Sequence, residues 1–125
     1  MTFYLSIDDV LAAHARLIAT FGGAEGVRDR AALEAALARP QSGYYQDVVE
    51  QAAALLESLS QNQAFIDGNK RTAIAVTAAF LRVNGYLFEF EDLNAYTFMM
   101  ALYEKGQFSF EKLEPWLREH ARRVS

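Results

Sequence analysis

Apolar residues recur along the chain at helical spacing, broken by a few sharp stops. Ile7, Leu11, His14, Ile18 and Phe21 share one helical face, and Gly22-Gly23 ends that helix. Ser6, with Asp9 three residues on, resembles a capping pair at its start. Asp29 caps a second, short helix through Ala31, Leu33, Ala36 and Leu37, ended by Pro40. The stretch PQSGYYQ reads as a turn or flap. Val48, Ala52, Leu55 and Leu59 then form the stripe of a third helix reaching about Asn62.

A fourth helix is predicted from near Asn69 to the stop at Asn84-Gly85. Its Ile74, Val76, Ala78, Phe80, Leu81 and Val83 leave almost no polar face, which predicts a buried central helix. Residues 86–90 read as a short extended piece, and a fifth helix covers about 93–104. A sixth follows Ser109 and carries Leu113, Trp116 and Leu117. Pro115 removes a backbone donor there, so that helix either starts later or is kinked. No repeat, linker or low-complexity tract interrupts the pattern. The expectation is one all-α domain over residues 1–125.

Composition narrows the chemistry. About half of the residues are apolar, enough for one ordinary core. Cysteine is absent, which excludes disulfides and thiolate chemistry, and two distant histidines make a poor zinc site. The start has no basic region, and Asp8 and Asp9 interrupt its apolar stretch, so neither a leader nor a membrane span is expected. A cytoplasmic protein is the default reading. The net charge of −4 disfavours direct nucleic-acid binding, which needs a general excess of Lys and Arg. An anionic ligand must therefore be held locally.

One segment meets that need: Gln63-Ala64-Phe65-Ile66-Asp67-Gly68-Asn69-Lys70-Arg71. With Asn69 as helix N-cap, Lys70 and Arg71 fall in the first turn, where cations oppose the helix dipole. A bound anion would reverse that penalty, because the free N–H groups, the dipole and both cations would then act together. Gly68 lets a ligand approach the backbone. Asp67 beside phosphates suits Mg²⁺, which takes one or two carboxylates plus phosphate oxygens. Phe65 or Ile66 is expected to plug into the core and fix the loop. The residues alone leave a second reading open, an ordinary turn into a capped helix with Lys70 and Arg71 solvated. A Walker A loop is excluded, since the glycine spacing is wrong.

Other residues read as structural first. His14 lies on an apolar stripe and is expected to be a hydrogen-bonded core histidine. His120, among Arg118, Glu119 and Arg122, is expected to face solvent, and Arg122 and Arg123 suit a helix C-terminus. Tyr44 and Tyr45 either pack on the core or face a partner. Phe88, Phe90, Tyr96, Phe98 and Tyr103 read as core, with part of the group free to line a groove.

Phe65, Asp67, Asn69, Lys70 and Arg71 match the Fic-family signature His-x-Phe-x-Asp/Asn-x-Asn-Gly/Lys-Arg, and the chain resembles the Doc toxins of that superfamily. The likeness extends to His14 with Phe21-Gly22-Gly23, Gly26-Val27-Arg28-Asp29, Leu33-Glu34, residues 36–40, Phe80-Leu81 and Asn84-Gly85. It implies a six-helix Fic fold with ATP and Mg²⁺ as cofactors. Most Fic proteins transfer AMP to a target hydroxyl. Doc toxins bind ATP reversed and move its γ-phosphate to a threonine of elongation factor Tu, halting translation. Lysine at position 70 favours the Doc chemistry. By this resemblance Asp67 would hold Mg²⁺, Gly68 and Asn69 would shape the anion site, and Lys70 and Arg71 would neutralise phosphate. Residues 40–46 would lie near the target. A cognate antitoxin would cover a groove with a disordered tail that folds on binding.

The family's general-base histidine is replaced by Gln63. Glutamine forms hydrogen bonds but has no useful basicity. Losing a general base costs about 10²- to 10⁴-fold in rate. The expectation is an attenuated toxin kinase that still binds nucleotide. The alternatives are an AMP-transferase and a non-catalytic antitoxin-binding module.

Overall fold

Short-range capping starts the first helices, where the sequence signals at Ser6 and Asp29 are met. The computed structural model describes residues 1–88 and 92–124. Residues 89 and 90 of the expected extended piece, Phe90 among them, lie outside the described residues. Helix α1 (Ile7–Phe21) opens on a reciprocal box. Asp9 N donates to Ser6 Oγ at 3.1 Å, and Ser6 N donates to Asp9 Oδ2 at 2.8 Å. Those bonds hold the Asp9 carboxyl below its ordinary value. Asp29 caps α2 (Arg30–Ala38) through Ala32 N, and Asp47 caps α3 (Val48–Gln61) through Glu50 N. Between them, the chain leaves α2 through a 3-10 turn (Arg39–Gln41) that buries Pro40.

The central helix is α3, not the fourth. From Val49 to Ser60 only Glu50 and Glu57 escape burial. The run Ala52-Ala53-Ala54 lets the 3-10 turn, α4 (Asn69–Val83) and α6 (Phe110–His120) close on it from several sides. Helix α4 buries one face, comprising Asn69, Thr72, Ala73, Val76, Thr77, Phe80 and Leu81. Ile74 and Ala78 fall on its other side, and Val83 is 48% exposed. Counting apolar residues overstated the burial of α4, because half of them face away from α3.

Beyond α4, β1 (Tyr86–Phe88) leads towards α5 (Asp92–Glu104). Helix α6 begins directly after Ser109, whose carbonyl accepts from Lys112 N and Leu113 N, and runs through Pro115 to His120. A later start does not occur. The chain then forms β2 (Ala121–Arg123), antiparallel to β1 with Leu87 opposite Arg122. This small sheet adds to the all-α expectation. It closes the end of α4 onto the end of α6, helped by Val124 N donating to Gly85 O at 2.8 Å. His120 is half-buried rather than solvent-facing. Its Nδ1 lies 2.8 Å from the Trp116 carbonyl and its ring rests against Trp116.

Candidate functional site

The loop between α3 and α4 is held by backbone pairing with the segment before α2. Arg28 N and Asp29 N both donate to Ala64 O, at 2.7 and 3.0 Å. Ile66 N donates to Gly26 O, and Val27 faces Phe65 as an antiparallel bridge. Among the described residues, Gln63 is the one non-glycine with positive φ, at 54°. A side-chain-bearing residue in that region costs about 1–2 kcal/mol. The Gln63 carbonyl accepts two bonds from the Arg28 guanidinium, from Nε at 3.1 Å and Nη2 at 2.8 Å.

Phe65 is the plug: it is 2% exposed, whereas Ile66 is 55% exposed. The Phe65 ring stacks on His14 at 3.8 Å with the planes 8° apart. His14 Nε2 lies 2.8 Å from the Asp67 carbonyl oxygen, so it carries a proton and donates. The expected core histidine is therefore the pin that holds the loop to α1. Asp67 turns its carboxylate to two backbone donors, Gly68 N at 2.9 Å and Ala24 N at 3.2 Å. Gly23 permits this approach, since a Cβ there would lie 2.7 Å from Asp67 Oδ2.

Asn69 does not cap α4. Gly68 is the N-cap, with left-handed φ of 75° and no side-chain bond, and Asn69 is the first helical residue. Its amide turns back into the core to pair with Phe65 N and O. That choice has a consequence for chemistry. The first bond of the helix runs from Thr72 N to Gly68 O, so the N–H groups of Asn69, Lys70 and Arg71 have no acceptor among the described residues. Three free donors and the positive end of the dipole meet at one point.

The two cations stand at that point. Lys70 Nζ lies 4.5 Å from the centre of the Tyr103 ring. Arg71 Cζ lies 4.2 Å from the Phe21 ring and 5.3 Å from the Tyr96 ring. Burial raises the Tyr103 phenol above its ordinary value, with the neighbouring Ser60 hydroxyl opposing. A cavity of about 270 Å³ opens here, lined by Gln63, Ile66, Asp67, Gly68, Asn69, Lys70, Arg71 and Tyr96. All six site residues expected from the sequence therefore meet in one place. Arg28 and Tyr96 were not among them. Arg28 falls in the family likeness at residues 26–29, but nothing local ties it to a loop so far away in sequence, and Tyr96 reads as part of a helix stripe.

Residues 40–46 do not line this cavity. Tyr45 accepts a bond from Arg39 Nε at 2.8 Å and packs on Phe110. Tyr44 is 76% exposed and meets Tyr45 edge-on. A smaller apolar cavity adjoins the first through Arg71 and Tyr96, lined also by Leu17, Phe21, Ile74, Ala75 and Ala78.

The donor set suits a polyphosphate. Free backbone N–H groups and two cations match phosphate oxygens. The Asp67 carboxylate has spare lone pairs beyond its two backbone bonds, as a Mg²⁺ ligand needs. Among the described residues no three acidic or histidine side chains gather around a point, so a cation here would share Asp67 with ligand oxygens. The volume admits a phosphate chain better than a whole nucleotide, which would extend out of the open mouth. Among the described residues, no helix is long and apolar enough to cross a membrane.

The Fic/DOC family model matches residues 4–81, a span that holds the whole loop and most of α4. A protein named Toxin Doc from Mycolicibacterium smegmatis is 48% identical over 90 residues, covering 68% of this chain and 67% of its own. Protein kinase doc of Escherichia phage P1 is 34% identical over 86 residues, covering 66% of this chain and 68% of its own.

Proposed function

The chain belongs to the Fic/DOC family, and from that premise we propose that it is a Doc-type toxin that binds ATP with Mg²⁺ and phosphorylates a protein hydroxyl weakly. One observation carries this reading: unpartnered first-turn N–H groups, Lys70 and Arg71 converge on an open cavity beside Asp67. Bound ATP and Mg²⁺ would supply a transferable γ-phosphoryl group and a divalent charge against it.

The protein's own part is to hold and neutralise. The N–H groups of residues 69–71 would grip phosphate oxygens, Arg71 and Lys70 would offset their charge, and Asp67 would hold the cation. Asn69 works from behind by fixing the turn. Gln63 stands at the rim of the cavity. Its amide can hydrogen-bond an incoming hydroxyl but cannot take up the proton that leaves on attack. The deficit therefore falls on the chemical step and spares binding. The threonine of elongation factor Tu is the proposed target. A cognate antitoxin is the proposed partner, its tail lying on the apolar cavity that shares Arg71 and Tyr96 with the site.

The test uses ATP labelled on the γ- or the α-phosphate, elongation factor Tu, and the parent and Gln63→His proteins. Transfer of γ-label, about 10²- to 10⁴-fold faster with Gln63→His, is the expected result. Transfer of α-label alone would make the chain an AMP-transferase. Calorimetry that finds no ATP binding with Mg²⁺ would leave a non-catalytic binding module.

A further inference from the structure

Position 63 is where the reaction needs its proton acceptor, and its backbone is held in a conformation that side-chain-bearing residues rarely adopt. Local chemistry does not explain why the chain accepts this. Gln63 is neither a glycine nor an Asn or Asp able to satisfy the turn through its own side chain. The carbonyl of a left-handed residue after a helix end also points away from the helix and needs a donor of its own.

Arg28 supplies that donor. Its planar guanidinium places Nε and Nη2 on the same carbonyl oxygen, and its own backbone N–H is bonded to the next carbonyl along, that of Ala64. Three donors from one residue thus fix two successive peptide groups. The neighbouring bonds from Asp29 N to Ala64 O and from Ile66 N to Gly26 O keep the two segments from sliding. Asn62 joins them by donating from Nδ2 to Ala32 O at 3.2 Å. A fork with two charged N–H groups is suited to this task, because it specifies the direction of the carbonyl as well as its distance.

We propose that Arg28 is a positioning residue for the reaction: it holds the left-handed turn at residue 63 and so aims that side chain into the phosphate cavity. The guanidinium touches neither the ligand cavity nor its cations, so its effect is on orientation and not on binding. The catalytic half of this inference rests on the phosphotransferase reading above. The backbone half does not.

A double-substitution cycle tests the backbone half without any turnover. Glycine adopts positive φ freely, so Gln63→Gly removes the conformational penalty that Arg28 opposes. Arg28→Ala is expected to lower the thermal midpoint by about 3–6 °C in the parent. In the Gln63→Gly protein the loss should be larger, because glycine stays in the turn and forfeits both guanidinium bonds in full, whereas glutamine relaxes out of it and recovers its strain. An equal or smaller loss in the glycine background overturns the proposal. Arg28→Lys keeps the charge but offers a point donor. It should fall between parent and Arg28→Ala, and it serves as the readable variant if alanine prevents folding. Full recovery by lysine would show that charge alone matters and also overturns the geometric claim.

For the catalytic half, Arg28→Ala in the Gln63→His protein should lower kcat about 10- to 100-fold and leave KM for ATP within about twofold. An unchanged kcat, or a loss that appears only in KM, defeats it. Should Gln63→His prove inert towards ATP, the transferase reading fails and the cycle still decides what Arg28 does.

Discussion

The side chain of Asn69 is paired in both directions with the backbone of Phe65: Oδ1 accepts from Phe65 N at 3.0 Å, and Nδ2 donates to Phe65 O at 2.9 Å. All four atoms are buried in the turn that sets the entry to α4. Alanine at position 69 would strand two buried backbone groups, and each costs about 1–3 kcal/mol when left unmade. Asn69→Ala is thus expected to destabilise by about 2–4 kcal/mol in urea unfolding. ATP affinity should fall in step, because the free N–H groups lose their alignment. Asn69→Asp keeps an acceptor for Phe65 N but sets a carboxylate against Phe65 O, so it should rescue little. If alanine proves neutral, or aspartate restores full stability, the clasp does not hold the loop.

Asp67 offers a cleaner separation of roles. Its backbone carbonyl is pinned by His14, so a side-chain change leaves that bond in place. Asp67→Asn retains one acceptor for the N–H groups of Gly68 and Ala24 and removes the negative charge. Calorimetry with and without Mg²⁺ should then show metal-dependent ATP binding falling by about tenfold or more, with metal-free binding unchanged or tighter. Equal weakening with and without metal would mean the carboxylate serves the loop and not a cation.

The parts of this molecule that were legible in the sequence are those whose causes are local. Ser6 and Asp29 each act on an N–H within three residues, so capping chemistry located two helix starts, and the apolar stripe from Val48 located a third that Asp47 caps in the same way. The site was legible for the same reason, since Gln63, Asp67, Gly68, Asn69, Lys70 and Arg71 all fall within residues 63–71. What stayed hidden depends on partners distant along the chain. Nothing about Ala121-Arg122-Arg123 reads as a strand until Tyr86–Phe88 lies beside it. The exchange of burial between α3 and α4 reflects which helix has neighbours on more sides, and periodicity is blind to that. Asn69 illustrates the boundary. Its residue type suits a cap, but the amide found two buried backbone partners in Phe65 and left the cap to Gly68.

Lys70 and Arg71 should matter far more for ligand than for fold. Both rest on aromatic faces, and neither forms an ion pair among the described residues. Replacing either by alanine is expected to change stability by no more than about 1 kcal/mol, because a modest cation–π contact is lost while an unfavourable charge leaves the helix N-terminus. In the parent, inorganic triphosphate should raise the thermal midpoint, following the mass action of binding to the native state. That rise should shrink strongly in Lys70→Ala and vanish in the double variant. A midpoint rise that persists without both cations would place the anion elsewhere.

Glu57 provides the opposite case, a residue expected to matter for fold and not for ligand. Its Oε1 accepts from Arg39 Nη1 at 2.6 Å, and its Oε2 accepts from Phe110 N at 2.9 Å, at the start of α6. Arg39 also reaches Tyr45 Oη, Ser58 Oγ and Ala54 O. Burial works against the Arg39 charge, but hydrogen bonding to Glu57 and Tyr45 with the Glu57 charge outweighs it and holds the guanidinium above its ordinary value. Arg39 therefore stays charged and must be matched. Glu57→Ala leaves it half-buried without its anion and also uncaps α6. The expected cost is about 2–3 kcal/mol, below the fully buried case because part of the pair is wet. Arg39→Leu combined with Glu57→Ala should cost less than the sum of the two single changes. Since neither residue lines the phosphate cavity, ATP affinity of the folded fraction should be unchanged throughout. Additive losses, or a parallel fall in ATP affinity, would mean that the 3-10 turn and α6 communicate with the site by a route other than global stability.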